Sequence, residues 1–378
     1  MPVRLLFLLA LAPACLFAQP TLYPAAPAPE IAARAYVLLD YNSNQVLAAH
    51  EAQSRVEPAS LTKLMTAYLT FAALKEKRLR PDQAVTVSER AWRTEGSRMF
   101  VEPKKPVIID DLLRGMIVQS GNDAAIALAE TIAGSEEAFA VLMNREARRL
   151  GLKNTHFVNA SGMSHAQHYT TAQDLAGLAA AVIRDFPEYY PLYAQKEYRY
   201  NNITQSSRNR LLWTDPTVDG MKTGYTENAG YCLVASARRG NRRLVSVVVG
   251  AASEAGRAAE SQKLLNHGFR AYDGVRLYPG KQPVATLTVF KGSSNGVKAG
   301  FIEDLHLAMP RGTSDKLKAT VESMQPLLAP ISVGQKVGTM KLTMDGKPFR
   351  EIPVVALENV PVAGFFGRGW DTLRLMLR

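Results

Sequence analysis

Two short apolar runs near the start of the chain, "AYVLLD" and "QVLAAH", flank Asn42-Ser43-Asn44 and predict a β-hairpin. The pattern then changes period. Leu61, Leu64, Met65, Tyr68, Leu69 and Ala72 recur at helical spacing. The opposite face, Ala59, Thr66, Ala67, Thr70 and Leu74, is also free of charge, so this helix is expected to be buried all round. Between Glu57 and Lys75 its only charge is Lys63, and a buried lysine calls for a partner or a purpose.

Further on, "IIDDLLRGMIVQSGNDAAIALAETIAGS" reads as two helices broken at Ser120-Gly121-Asn122, with Asp110 or Asp111 as the first cap and Gly134 as the end. Helices are expected over Glu136–Leu150, closed by Gly151, and over Ala172–Ile183. "GYCLVASARRGNRRLVSVVVGAA" is a second hairpin turning at Gly240-Asn241, and a last helix is expected over Glu260–Ala271. Strands at both ends with helices between predict an α/β domain over 31–278, whose sheet joins its N- and C-terminal strands. Beyond Pro279-Gly280 come short alternating runs with Gly, Pro and Asp-Gly turns, which predict a small β-sandwich-like domain over 279–360.

The two ends differ from the rest. Residues 1–18 carry Arg4 ahead of a short apolar run and end on Ala18, the pattern of a secretory signal peptide. A Pro/Ala linker spans 19–30. Over 361–378, Phe366, Trp370, Leu373 and Leu377 form one helical stripe, with Arg368, Arg374 and Arg378 elsewhere, as in an amphipathic membrane-anchor helix, the alternative being an amphipathic helix docked on its own domain. After signal removal Cys232 is the one remaining cysteine, so the mature chain has no internal disulfide. The net charge of +11 is spread rather than clustered. With a signal peptide, that favours an anionic membrane surface or wall polymer over nucleic acid.

Chemistry concentrates at three places. Ser60 and Lys63 stand one helical turn apart. A serine hydroxyl needs a base to become a nucleophile, and a lysine in apolar surroundings has its pKa lowered and can serve. Pro58 suits a helix start, leaving the Ser60 N–H free for an oxyanion. By chance a Ser-x-x-Lys occurs about once in a chain this long, so the pair gains weight only from its companions. Ser120-Gly121-Asn122 falls in a helix break, where Ser120 can relay a proton and Asn122 can bind a substrate amide. Lys222-Thr223-Gly224 stands ahead of a strand, where a strand edge can bind an extended peptide.

These three motifs, in this order, resemble the signature set of penicillin-binding proteins and serine β-lactamases. "IVQSGNDAAIALAE", "TTAQDLAGLA", "NRLLWTDPTVDGMKTGYT" and "RLVSVVVGA" are similar to the low-molecular-mass D-alanyl-D-alanine carboxypeptidases. The resemblance implies a transpeptidase-like α/β domain, antiparallel sheet plus helical region, followed by a small all-β domain and an amphipathic tail. It implies that neutral Lys63 activates Ser60 against the bond between the last two D-alanines of a peptidoglycan stem peptide. Ser120 and Lys222 then serve the proton transfer, and backbone N–H groups of Ser60 and Tyr225 hold the oxyanion. Asn122, Lys222, Thr223 and Gly224 bind substrate, Arg257 takes the terminal carboxylate, and Arg208 lies near. β-Lactams are the implied inhibitors, and the implied location is periplasmic, on the outer face of the inner membrane. Two departures, Tyr225 after the lysine motif and Ser161-Gly162 where some relatives carry His-Gly, bear on substrate choice and deacylation rather than on reaction class.

A class A β-lactamase would need a deacylating glutamate, and no glutamate lies between Glu146 and Glu188. A DD-endopeptidase with the same motifs is the nearer alternative, and a non-catalytic wall-binding scaffold is a further one. His50, His156, His165, His168, His267 and His306 form no metal motif, and His165 and His168 are expected to be solvated. No cofactor or metal is expected.

Overall fold

The computed structural model describes residues 27–364 together with Asp371 and Met376. The expected signal peptide, most of the expected linker and the apolar stripe of the tail lie outside these residues. Within them the chain divides into two units, Ala28–Tyr41 with Val46–Gly268, and Asn42–Gln45 with the chain from Phe269 onward.

The first unit is built on a five-stranded antiparallel sheet. Its strands are β1 (Ala35–Asp40), β2 (Gln45–His50), β3 (Val218–Thr226), β4 (Gly230–Arg239) and β5 (Arg242–Ala251), in the order β2-β1-β5-β4-β3. The N-terminal strand thus pairs with a C-terminal one, Ala35 opposite Val249 and Asp40 opposite Leu244. Strands β1, β4 and β5 carry runs of six buried residues because both sheet faces are covered. Val37, Leu39, Val245 and Val247 face the helical core. On the other face Leu38 and Leu244 meet helix Glu254–Ala271, where a Cβ on Gly268 would stand 2.6 Å from Leu244 Cδ1.

The helical region holds α1 (Lys63–Lys75), α2 (Ile109–Arg114), α3 (Asn122–Ala133), α4 (Glu136–Arg149) and α5 (Ala172–Asp185). Helix α1 is buried on every side, Leu64, Met65, Ala67, Tyr68, Phe71 and Ala73 all belonging to the core. Such a helix cannot be amphipathic, which explains its missing polar face. Ser135 and Thr171 cap α4 and α5 by accepting the backbone N–H three residues on.

Two expectations about helix ends are corrected. Neither Asp110 nor Asp111 caps α2. Ile108 holds the cap position, and the aspartates sit in the first turn, where they favour the helix dipole. The last helix, α6 (Glu254–Ala271), begins six residues earlier than expected, and Ser253 Oγ accepts the Gly256 N–H at 2.9 Å. Its first turns carry few apolar residues, so periodicity missed them. That earlier start places Arg257 on a rigid helix.

The second unit is built mainly of β-strands, with a 3-10 turn over Ser314–Lys316. A six-stranded sheet runs in the order Leu317–Ser323, Lys336–Met344, Lys347–Ala356, Gly296–Gly300, Pro283–Phe290 and Leu327–Leu328. Tyr272–Tyr278 pairs separately with Leu305–Pro310. The strands Tyr272–Tyr278 and Gly296–Gly300 were not foreseen from the pattern. Val297, Leu307, Val337, Met340, Leu342 and Val354 form the core. The Asp345-Gly346 hairpin turn has both residues at positive φ, 49° and 75°, as a two-residue hairpin requires.

Candidate active site

Ser60 sits in a 3-10 turn, Ala59–Thr62, that leads into α1. Ala59 ahead of it is left-handed, with φ 48°, and fully buried. A non-glycine residue there costs on the order of 1 kcal/mol and is tolerated where packing over-determines it. The packing is visible. Gly162, with φ 89°, passes so close that a Cβ would lie 1.8 Å from Ala59 O, and a Cβ on Gly224 would lie 3.2 Å from Ala59 Cβ. The two glycines let a loop and the edge strand β3 close on the nucleophile turn. Among the described residues the Ser60 N–H has no hydrogen-bond acceptor.

Lys63 is 1% exposed. Its Nζ lies 3.0 Å from Ser60 Oγ, 2.7 Å from Asn122 Oδ1 and 2.6 Å from the Ser161 carbonyl oxygen. Burial lowers its pKa from 10.5 to about 7. Asp123 and Glu136 act against that shift, and Arg208 adds to it. A neutral amine has two N–H groups and one lone pair. Asn122 Oδ1 and Ser161 O only accept, and the Asn122 amide is oriented by its own Nδ2 donating to Glu95 O at 2.7 Å. They therefore take both hydrogens, and the lone pair is left for the Ser60 hydroxyl.

Ser120 ends a π-helical stretch, Gly115–Gln119, and is itself left-handed, with φ 70° and ψ 33°. Its Oγ is buried with no partner among the described residues. The next residues are held by Asp123, whose carboxylate accepts the backbone N–H groups of Met99, Phe100, Val101 and Ala124 at 2.9–3.2 Å. Lys222 and Thr223 are buried on β3, which is the sheet edge as expected. Lys222 Nζ donates to Thr223 O at 3.0 Å. Burial, with Lys63, Arg208 and Arg257 nearby, holds its pKa well below the usual lysine value. Arg257, 4% exposed, donates to the Gly224 carbonyl at 3.3 Å and lies over the Tyr231 ring.

Ser60, Ser120, Asn122, Thr223, Gly224, Arg208 and Arg257 line one cleft of about 410 Å³. Lys63 and Lys222 lie buried beneath its wall. The three motifs are thus brought together, with both arginines at the same opening. Four groups that sequence reasoning missed also matter here: the Gly96-Ser97 rim, Met163 and Ser164 line the cleft, and Asp123, outside the lining, holds the backbone behind it. Only Asp123, next to the central motif, carried any signal. His168 is a correction. It is buried, not solvated, because Val158 N–H donates to Nδ1 at 3.0 Å and Nε2 lies 2.7 Å from Thr62 Oγ1. Burial lowers its pKa to about 4, so it is neutral at pH 7 and its Nε2–H donates to Thr62. Among the described residues no group of His, Cys, Asp and Glu could hold a metal ion.

Residues 23–253, well over half of the chain, match the family described as D-alanyl-D-alanine carboxypeptidase. The chain belongs to that family. Residues 272–362 match the C-terminal domain of penicillin-binding protein 5. The D-alanyl-D-alanine carboxypeptidase DacC of Escherichia coli strain K12 is 43% identical over 373 residues, 97% of this chain and 92% of that one. The crystal structures of penicillin binding protein 5 from Haemophilus influenzae superpose with a TM-score of 0.85 at 40% identity, covering 89% of this chain and 99% of that one. Penicillin-binding protein D2 of Listeria monocytogenes, solved in an ampicillin-bound form, has a TM-score of 0.60 at 30% identity and covers 65% of this chain and 100% of its own. The family and these relatives make the chain a serine-type carboxypeptidase.

Proposed function

We propose that the protein is a serine D-Ala-D-Ala carboxypeptidase that removes the terminal D-alanine from peptidoglycan stem pentapeptides through an acyl-enzyme on Ser60, and so limits cross-linking. One observation carries the reading: a fully buried Lys63 amine 3.0 Å from Ser60 Oγ, its two hydrogens held by acceptor-only groups. Ser60 Oγ attacks the carbonyl between the two D-alanines and passes its proton to Lys63 Nζ. The ammonium then donates to all three neighbours. The Ser60 and Tyr225 N–H groups stabilise the oxyanion. Ser120, whose hydroxyl has no partner among the described residues, relays a proton to the departing amine with Lys222 beside it. Arg257, with Thr223, takes the free carboxylate of the leaving D-alanine, and Arg208 adds positive charge at the opening. Water, with Lys63 again as base, then cleaves the ester.

A β-lactam presents a similar acyl carbonyl beside a carboxylate, and a labelled penicillin is expected to acylate Ser60. The ampicillin-bound Listeria relative supports this. Export through residues 1–18 and attachment of 361–378 to the outer face of the inner membrane complete the reading. The apolar stripe and the net charge of +11 support attachment at the surface. No helix among the described residues is long and apolar enough to cross a membrane. Flotation of the full chain and of a chain lacking 361–378 with anionic vesicles tests it, and equal flotation of both would rule the anchor out.

The enzymatic test offers a pentapeptide muropeptide and a cross-linked dimer, with products weighed by mass spectrometry and Ser60→Ala as control. Loss of one alanine from the pentapeptide, absent in the variant, is the expected result. Cleavage of the dimer alone would make the protein an endopeptidase, and no product from either would leave a binding protein.

A further inference from the structure

The cleft does not end at the serine. A second depression, of about 770 Å³, is lined by Arg55, Glu57, Ser164, His165, Tyr169 and Asn228, among others. Ser164 borders both depressions. Where they meet, Thr226 Oγ1 from the first donates to Glu57 Oε2 from the second at 2.8 Å. The two depressions therefore adjoin, with Ser164 and this hydrogen bond at their junction, and together they make one trough along the strand.

The trough has a direction. Thr223 stands at one end, where the proposed function puts the terminal carboxylate, and Arg257 reaches the strand at the Gly224 carbonyl. Strand β3 then runs through Gly224 and Tyr225 to Thr226, at the other end. A peptide held by that carboxylate and laid along the exposed strand edge leaves the serine toward Thr226. Each extended residue advances it by about 3.3–3.6 Å, so the second or third residue before the scissile bond reaches the second depression.

The chemistry there is specific. The Arg55 guanidinium lies 4.2 Å from the centre of the Tyr169 ring, which stacks in turn on His156. His156 is held by a 2.7 Å hydrogen bond between its Nδ1 and Gln167 O. The stack holds an exposed arginine in place, and among the described residues Arg55 makes no ion pair. The one carboxylate lining this depression, that of Glu57, already accepts from Thr226 at the junction with the cleft. A planar guanidinium pre-ordered by a ring and lacking a carboxylate partner suits bidentate recognition of one.

We propose that this second depression is a subsite for an acidic residue of the peptide upstream of the scissile bond, whose carboxylate pairs with Arg55. The proposal rests on the carboxypeptidase reading of the first depression, and the test separates the two. Two peptides are offered to the full-length enzyme. One is doubly acetylated Lys-D-Ala-D-Ala, which has no upstream carboxylate. The other ends in the same three residues but carries glutamate immediately before the lysine.

The wild type is expected to hydrolyse the glutamyl peptide with roughly tenfold higher kcat/KM, mostly through KM, a rim-charge effect that weakens with added salt. Arg55→Gln is expected to remove that preference, and Arg55→Lys to keep part of it. The readout is the ratio between the two peptides, so a general loss of folded enzyme cancels. An equal rate on both peptides in the wild type, or a ratio unchanged in Arg55→Gln, would overturn the subsite while leaving the carboxypeptidase intact. No hydrolysis of the short peptide would overturn both readings.

Discussion

At the scale of single residues, this site works through charges placed around one amine. With Lys63 titrating near 7, the neutral base is scarce in acid and abundant in alkali, so kcat/KM is expected to rise through about pH 7 and level off above it. Neighbours should move that limb with opposite signs. Arg208 is exposed, and its charge lowers the Lys63 pKa, so Arg208→Gln should shift the limb to higher pH. Asp123 raises the pKa, so Asp123→Asn should shift it to lower pH, at an added cost in stability because four backbone N–H groups lose their carboxylate. pH–rate profiles of both variants check the signs, and shifts in one common direction would contradict the assignment of Lys63 as base. Ser60→Ala should lower kcat by about 10⁴-fold or more.

At the scale of elements, the site depends on how closely three backbones approach. Gly162 and Gly134 are both left-handed, with φ 89° and 82°, but only Gly162 is hemmed in. Gly162→Ala would drive a Cβ into Ala59 O and is expected to cost about 3 kcal/mol or more and to abolish penicillin acylation. Gly134→Ala meets open space, so it pays only the backbone term of about 1 kcal/mol with acylation retained. Urea denaturation of the pair separates crowding from conformation. Equal losses would mean that crowding at Ala59 contributes nothing. Gly224→Ala falls between the two, since its nearest contacts at 3.2–3.3 Å require a shift of a few tenths of an ångström. Here the expected loss is mainly in rate, because β3 would be pushed off the serine turn.

At the scale of the whole molecule, the first unit contains every group invoked in the chemistry, and the second unit has its own core. The Listeria relative, whose entire chain matches about two thirds of this one, fits a catalytic unit that stands alone. A chain ending at Ala271 is therefore expected to fold and to be acylated by penicillin at a rate within about threefold of the full chain, since distant sites contribute nearly independently. Failure to acylate, in a folded product, would show that the second unit supports the site. The net charge of +11 acts at this scale too. Binding of the full chain to anionic vesicles should weaken steadily between 50 and 500 mM salt, the range over which the Debye length falls from roughly 14 to 4 Å.

What the sequence alone determined was whatever depends on local spacing. Ser60 and Lys63 stand one turn apart, Asn42-Ser43-Asn44 and Gly240-Asn241 turn their hairpins, and α1 is buried because neither of its faces carries a solvating charge. Their meanings are written in residues that adjoin in the chain. Tertiary structure decided whatever depends on the approach of distant segments. Asp123 becomes a four-fold backbone clamp only when the Met99–Val101 loop folds onto it. His168 is buried because Thr62, on another element, gives its Nε2–H an acceptor, so a polar loop sequence misled. The start of α6 lacked periodicity because its first turns carry few apolar side chains, yet it sets Arg257 at the cleft. The lone pair of Lys63 points at Ser60 for the same reason: Asn122 and Ser161, 59 and 98 residues away, claim the two hydrogens, and no local pattern encodes that contact.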